Sequence, residues 1–110
     1  MSTNIENFAS LDIRVGIILS AEVFHEAKKP AYILKIDFGD EVGIKKTSAQ
    51  ITNYEIEQLI GFKCIGVLNL GDKQIGPIVS QCLILGSVDD EGNVLLLEPS
   101  ANSNLGDRVS

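Results

Sequence analysis

Seven apolar residues on successive odd positions, Leu11, Ile13, Val15, Ile17, Leu19, Ala21 and Val23, constrain this chain more than any other stretch. Side chains of a strand point alternately to its two faces, so the pattern predicts one long strand over Leu11–Phe24 with a single buried face. Gly16 in its interior predicts a bulge or sharp bend, the device by which a first strand joins two layers of a small barrel. The loop His25–Pro30 then interrupts the alternation.

Two further strands follow. Tyr32–Phe38 is apolar on even positions, Gly39-Asp40 is a turn signal, and Val42–Ser48 resumes with Val42 and Ile44 on one parity. Ile51-Thr52-Asn53-Tyr54-Glu55-Ile56 reads as a helix start: Thr52 and Glu55 have capping-box spacing, and Ile51 and Ile56 have the spacing of a hydrophobic staple. Ile56, Leu59 and Ile60 share a helical face and Gly61 stands where a C-terminal cap belongs, predicting about two turns. In front of all this, Thr3 and Glu6 form another capping-box pair, predicting a short helix over Asn4–Ala9 with Ile5 and Phe8 on one face. So short a helix is not stable alone and must dock on something.

The second half centres on Asn69–Leu85. Apolar runs Cys64–Leu70 and Ile78–Leu85 flank a loop, Gly71–Pro77, and read as two strands around a connection. Asn69, Ser80 and Gln81 are polar positions within those runs. Burying an amide or hydroxyl without a partner costs about 1–3 kcal/mol, so each either pairs with backbone at a barrel corner or serves a ligand. A polar turn, Asp89–Asn93, precedes a last short strand, Val94–Glu98, and Asn102–Ser110 reads as a tail anchored by Leu105 and Val109.

Three strands, a helix and two more strands form the layout of the OB-fold, a five-stranded Greek-key barrel. The expected class is thus all-β with short helices, extended by an N-terminal helix and a C-terminal strand. Such barrels bind on the face of strands two and three and through the loops joining strands 1–2 and 4–5. Here those loops are His25–Pro30 and Gly71–Pro77. The 110 residues suffice for one domain with its own core, which is aliphatic because only 5% of residues are aromatic.

Charge and chemistry narrow the function. Nine basic against 15 acidic residues give a net charge of −6, which argues against a generic nucleic-acid coat. Five of the nine cations nevertheless lie at the expected binding face: Lys28 and Lys29 on the strand 1–2 loop, Lys45 and Lys46 on strand three, and Lys73 on the strand 4–5 loop. They read equally well as ordinary solvated lysines. Tyr32 is the only aromatic near a stacking position, fewer than single-strand coating uses. No base partners a Ser or Cys, His25 lies on a loop, and no phosphate cradle stands between a strand and a helix, so the chain reads as a binding protein rather than an enzyme. Two cysteines and one histidine are too few for a metal site, and no cofactor is expected. Met1–Asn4 lacks the apolar core of a secretory signal, no run is long enough to span a membrane, and isolated cysteines suit a reducing compartment, so a cytoplasmic location is expected.

Leu11-Asp12-Ile13-Arg14-Val15-Gly16, Pro30-Ala31-Tyr32, Ile36-Asp37-Phe38-Gly39, the run Gly43–Thr52 and the Asn69–Leu85 segment closely resemble the CsaA chaperones. This is a bacterial and archaeal family linked to protein export. It lies within the wider tRNA-binding OB-fold family, with the C-terminal domain of some methionyl-tRNA synthetases and the endothelial monocyte-activating polypeptide. The resemblance spans Ile5 to Val109. It implies a homodimer, with the N-terminal helix and C-terminal extension packing across the two-fold. It also implies two ligand classes: unfolded preproteins, together with the export ATPase, and structured tRNA. A groove near Tyr32, Ile44, Ile78 and Leu83 would accept the apolar peptide segments. In the tRNA-binding relatives a Ser and an apolar residue three later contact RNA, matching Ser80 and Leu83. Leu83 stands where Met is usual, and Pro30 where those relatives carry Lys. The candidate binding set is therefore Lys28, Lys29, Tyr32, Lys45, Asn69, Lys73, Ser80, Gln81 and Leu83, with no catalytic residue.

Overall fold

In the computed structural model, which describes Met1–Ser110, eleven elements follow in order. They are α1 (Ile5–Ala9), β1 (Ile13–Val23), β2 (Tyr32–Asp37), β3 (Ile44–Ala49), α2 (Ile56–Leu59), β4 (Lys63–Val67), β5 (Lys73–Ile75), β6 (Ile78–Ser80), β7 (Leu83–Ile84), β8 (Gly86–Val88) and β9 (Val94–Leu96). One sheet runs β3-β2-β1-β4-β7, antiparallel throughout, and curls into a nearly closed five-stranded barrel of the OB type. The small sheets β5-β6 and β8-β9 are appended to it.

The long first strand forms, but its alternation does not run through. Ile13 and Val15 are buried, then Ile18, while Leu19 and Val23 are exposed. A register shift against β2 between Ile18 and Ser20 leaves one residue unpaired and moves the later side chains to the other face, so Ala21 rather than Ser20 follows Ile18 against the core. The step from Val15 to Ile18 precedes this shift. The register against β4 is regular through Gly16, so no bulge lies there. Gly16 is a site of close approach instead: a Cβ there would lie 2.7 Å from Ile36 Cγ2 and 2.8 Å from the Phe38 ring, and one at Gly66 on β4 would lie 2.8 Å from Phe38 Cζ. The fully buried Phe38 occupies space left by two glycines on adjacent strands. Around it pack Ile18, Leu34, Ile36, Ile51, Leu59 and Cys64.

Local corrections follow the same logic. The α1 cap is Asn4 rather than Thr3, its side chain accepting from the Asn7 N–H at 2.9 Å. The second helix is one turn, not two, and begins at Glu55: the Gln58 side chain accepts from the Glu55 N–H at 2.7 Å, and Thr52 lies in the turn before it. Gly61 follows the helix with φ +83°, as its position predicts. The run Ile78–Leu85 is broken into β6 and β7, and the presumed loop before it contributes β5. The last strand pairs back on Gly86–Val88 as a hairpin.

The C-terminal tail is held by backbone more than by side chains. Asp107 C=O accepts from Val15 N–H (3.0 Å), while Gly106 and Val109 donate to Val15 and Ile13 carbonyls (both 2.8 Å). Arg14, paired with Asp12 at 2.6 Å, also donates to Gly106 C=O at 3.0 Å. No helix is long and apolar enough to cross a membrane.

Candidate binding groove

β5 and β6 form a hairpin turning at Gly76-Pro77, with Ile75 opposite Ile78. Gly76 has φ +55°, a conformation in which a side chain is strained, and the Gln74 amide donates to Gly76 and Ile78 carbonyls at 2.7 and 3.0 Å. This hairpin reaches the loop after β1, where Phe24, Ala31 and Ile78 form a second small core. The two loops expected to frame a ligand therefore meet.

Between them and β3 lie two cavities. The larger, about 530 Å³, is lined by Lys28, Lys29, Lys73, Glu26, Ser48 and Gln50 with Phe24, Ala27, Ala31 and Ile75 among its walls. The smaller, about 340 Å³, is lined by Ser80, Gln81, Cys82 and Leu83 with Thr47, Ser48, Leu70, Lys73 and Ile75. Ser48, Lys73 and Ile75 border both, so the two cavities are neighbours and together make up the groove between β3 and the β5–β6 hairpin. Three lysines against one carboxylate make its larger end positive in an acidic molecule.

The groove gathers Lys28, Lys29, Lys73, Ser80, Gln81 and Leu83 from the candidate set. Tyr32 belongs to the barrel core, its hydroxyl donating to Tyr54 C=O at 2.8 Å. Lys45 lines neither cavity. Asn69 holds the junction before β1: its Oδ1 accepts from Asp12 N–H at 2.8 Å and its Nδ2 donates to Ser10 C=O at 2.7 Å. Of the residues proposed beside the groove, Ile78 is buried and Ile44 is exposed.

Gln81 completes the barrel. Its N–H donates to Lys46 C=O at 2.7 Å, and its Oε1 accepts from Lys46 N–H at 2.9 Å. A side-chain amide thus replaces a main-chain carbonyl where β6 meets β3. Beside it Thr47 Oγ1 and Ser80 Oγ share a 2.8 Å bond, and Thr47 also donates to Cys82 C=O at 2.8 Å. These contacts account for the polar residues inside an apolar run: buried polar atoms need partners, and here they have them.

Sequence reasoning missed Ser48 and Gln50, although both lie in the Gly43–Thr52 motif. Parity along β3 is the signal that would have found them. The thiols offer no nucleophile: burial, and secondarily the nearby Cys82, pushes Cys64 up to about 12, while burial pushes Cys82 up to about 11 against the opposing effects of Thr47 and Lys45.

The family described as putative tRNA binding domain matches residues 13–108. The CsaA chaperone protein of Picrophilus torridus is 46% identical, with a TM-score of 0.95 over 99% of this chain and 100% of that one. Chaperone CsaA of Bacillus anthracis str. Ames is 42% identical, with a TM-score of 0.93 and full coverage of both chains. The methionine–tRNA ligase of Methanococcoides burtonii is 34% identical over 101 residues, 92% of this chain. The chain spans only 15% of that ligase's length.

Proposed function

This chain belongs to the putative tRNA-binding domain family and, within it, to the CsaA-type chaperones, and from that premise we propose that it is a dimeric, non-catalytic chaperone that holds unfolded segments of preproteins destined for export. The observation that carries this reading is the groove itself, walled by Phe24, Ala27, Ala31, Ile75, Leu70 and Leu83 and open along its length. Covering about 100 Å² of apolar peptide surface contributes about 2.5 kcal/mol, so one groove binds modestly and two grooves on a dimer gain by avidity. Exposed Ile5 and Phe8 on α1, beside Leu11 and Val109, and exposed Val88, Leu95 and Leu97 on the β8–β9 hairpin supply apolar surface for the two-fold. On this reading the protein works in the cytoplasm, with the export ATPase as a further partner. Fluorescent preprotein segments should bind saturably at micromolar protein; a linear, non-saturating titration rejects the chaperone reading.

Lys28, Lys29 and Lys73 on one wall favour a second reading, structured tRNA held through its phosphates. It predicts a mobility shift with folded tRNA that weakens steeply with salt and is lost in Lys28→Ala/Lys29→Ala. Binding that ignores salt, or no shift, rejects it.

A further inference from the structure

We infer that the groove takes an extended polypeptide by strand addition, with the open outer edge of β3 at Ser48 and Gln50 supplying main-chain hydrogen bonds. The inference rests on the chaperone reading of the groove and specifies how the client is held.

The bonds between Lys46 and Gln81 fix which way β3 faces. Both main-chain groups of Lys46 point away from β2, toward β6. Main-chain groups alternate between the two edges of an antiparallel strand, so those of Ser48 also point away from β2. The opposite parity agrees: Gly43 C=O accepts from Phe38 N–H on the β2 side. Gln50, just past the strand, makes no backbone hydrogen bond in the fold. Apart from a long 3.3 Å contact between the Thr47 hydroxyl and Ser48 C=O, nothing in the chain takes up this edge.

The element that would pair there is committed elsewhere. β6 forms its ladder with β5, Lys73 opposite Ser80 through Ile75 opposite Ile78, and the chain meets β3 only at its end, through the Gln81 N–H and side chain and the Ser80 hydroxyl. The barrel is clasped at Lys46 and open beyond it. An open edge is a template for another strand.

The surroundings fit that occupant. Ser48 borders both cavities, so a strand laid beside it reaches both. Residues two apart in a strand lie about 6.6 Å apart on one face, which allows alternate apolar side chains to enter the two ends. The lysines at the larger end disfavour a basic segment and favour a neutral or acidic one. Main-chain recognition is also tolerant of sequence, because every residue except proline carries the same donor and acceptor.

The test uses the full-length protein and a fluorescent ten-residue peptide, apolar at alternate positions and otherwise neutral or acidic. A series of analogues replaces one amide at a time with an ester, which removes a donor at little change of shape. We expect weakening of about fivefold to tenfold at alternate positions facing β3 and little effect at the positions between. Hydrogen exchange should show Ser48 and Gln50 amides slowed by peptide, with Ala49, already facing β2, unchanged. Saturable binding with no alternation overturns strand addition while leaving the chaperone reading intact. Failure of the parent peptide and of preprotein segments alike overturns both. Slowing of Ser48 and Gln50 by folded tRNA, and by no peptide, overturns the inference and assigns the edge to nucleic acid.

Discussion

Single residues set the barrel's tolerances. Phe38 fills the space over Gly16 and Gly66, so Gly66→Ala places a methyl 2.8 Å from its ring. Overpacking of this kind costs about 1–3 kcal/mol, and a domain of this size loses about 4–8 °C in Tm for each kcal/mol. Thermal unfolding should show that loss, and Gly66→Ala/Phe38→Leu should be less destabilised than the two single changes summed. Cys64 makes a second prediction. Its thiol is raised from the ordinary 9.0 to about 12 by burial, so the folded state keeps a proton that the unfolded state releases. Its contribution is therefore fully present below pH 9 and is lost as pH rises toward 12, at a limiting slope of about 1.4 kcal/mol per pH unit. Denaturant midpoints measured from pH 8 upward should fall, and the fall should be shallower in Cys64→Ala.

At the scale of elements, what could be read in advance was whatever local pattern decides. The alternation from Leu11 to Val23 identified β1 because strand periodicity is carried by the strand itself. The side that each residue faces beyond Ile18 was not legible, since the shift there has no glycine or proline to mark it. Two overlapping sets of caps surround α2, and Glu55–Gln58 prevails after Tyr54 N–H bonds Ile51 C=O to make a turn of the residues between. The break between β6 and β7 was hidden for a different reason. Ser80 and Gln81 interrupt the apolar run because β3, more than thirty residues earlier, needs their polar atoms, and that partner is visible only in the fold. Gln81→Leu keeps the volume but leaves Lys46 N–H unpaired at the seam, which should cost about 1–3 kcal/mol. Faster hydrogen exchange at Lys46, with β1–β2 amides unaffected beyond the global change, is the expected signature; uniform acceleration would place the loss elsewhere.

For the whole molecule, the legible part of the site was the convergence of two loops, which follows from barrel topology once the element order is known. Lys28, Lys29 and Lys73 meet as that order implies, whereas Tyr32 turns into the core because its hydroxyl has a partner in Tyr54. Ile5, at 72% exposure, and Phe8 leave α1 with an uncovered apolar face. If that face packs across the proposed dimer, the wild-type protein sediments as two chains, and Ile5→Asp/Phe8→Asp should lower this to one chain while the far-ultraviolet spectrum is retained. On the proposed function, the groove between β3 and the β5–β6 hairpin is where an unfolded chain is held. Amide chemical shifts of the labelled protein, followed while an unfolded preprotein segment is added, decide it. Saturable changes are expected at Lys28, Lys29, Ser48, Gln50, Lys73–Gly76 and Ser80–Leu83; changes confined to α1 and the β8–β9 hairpin, with the groove silent, would rule out binding there.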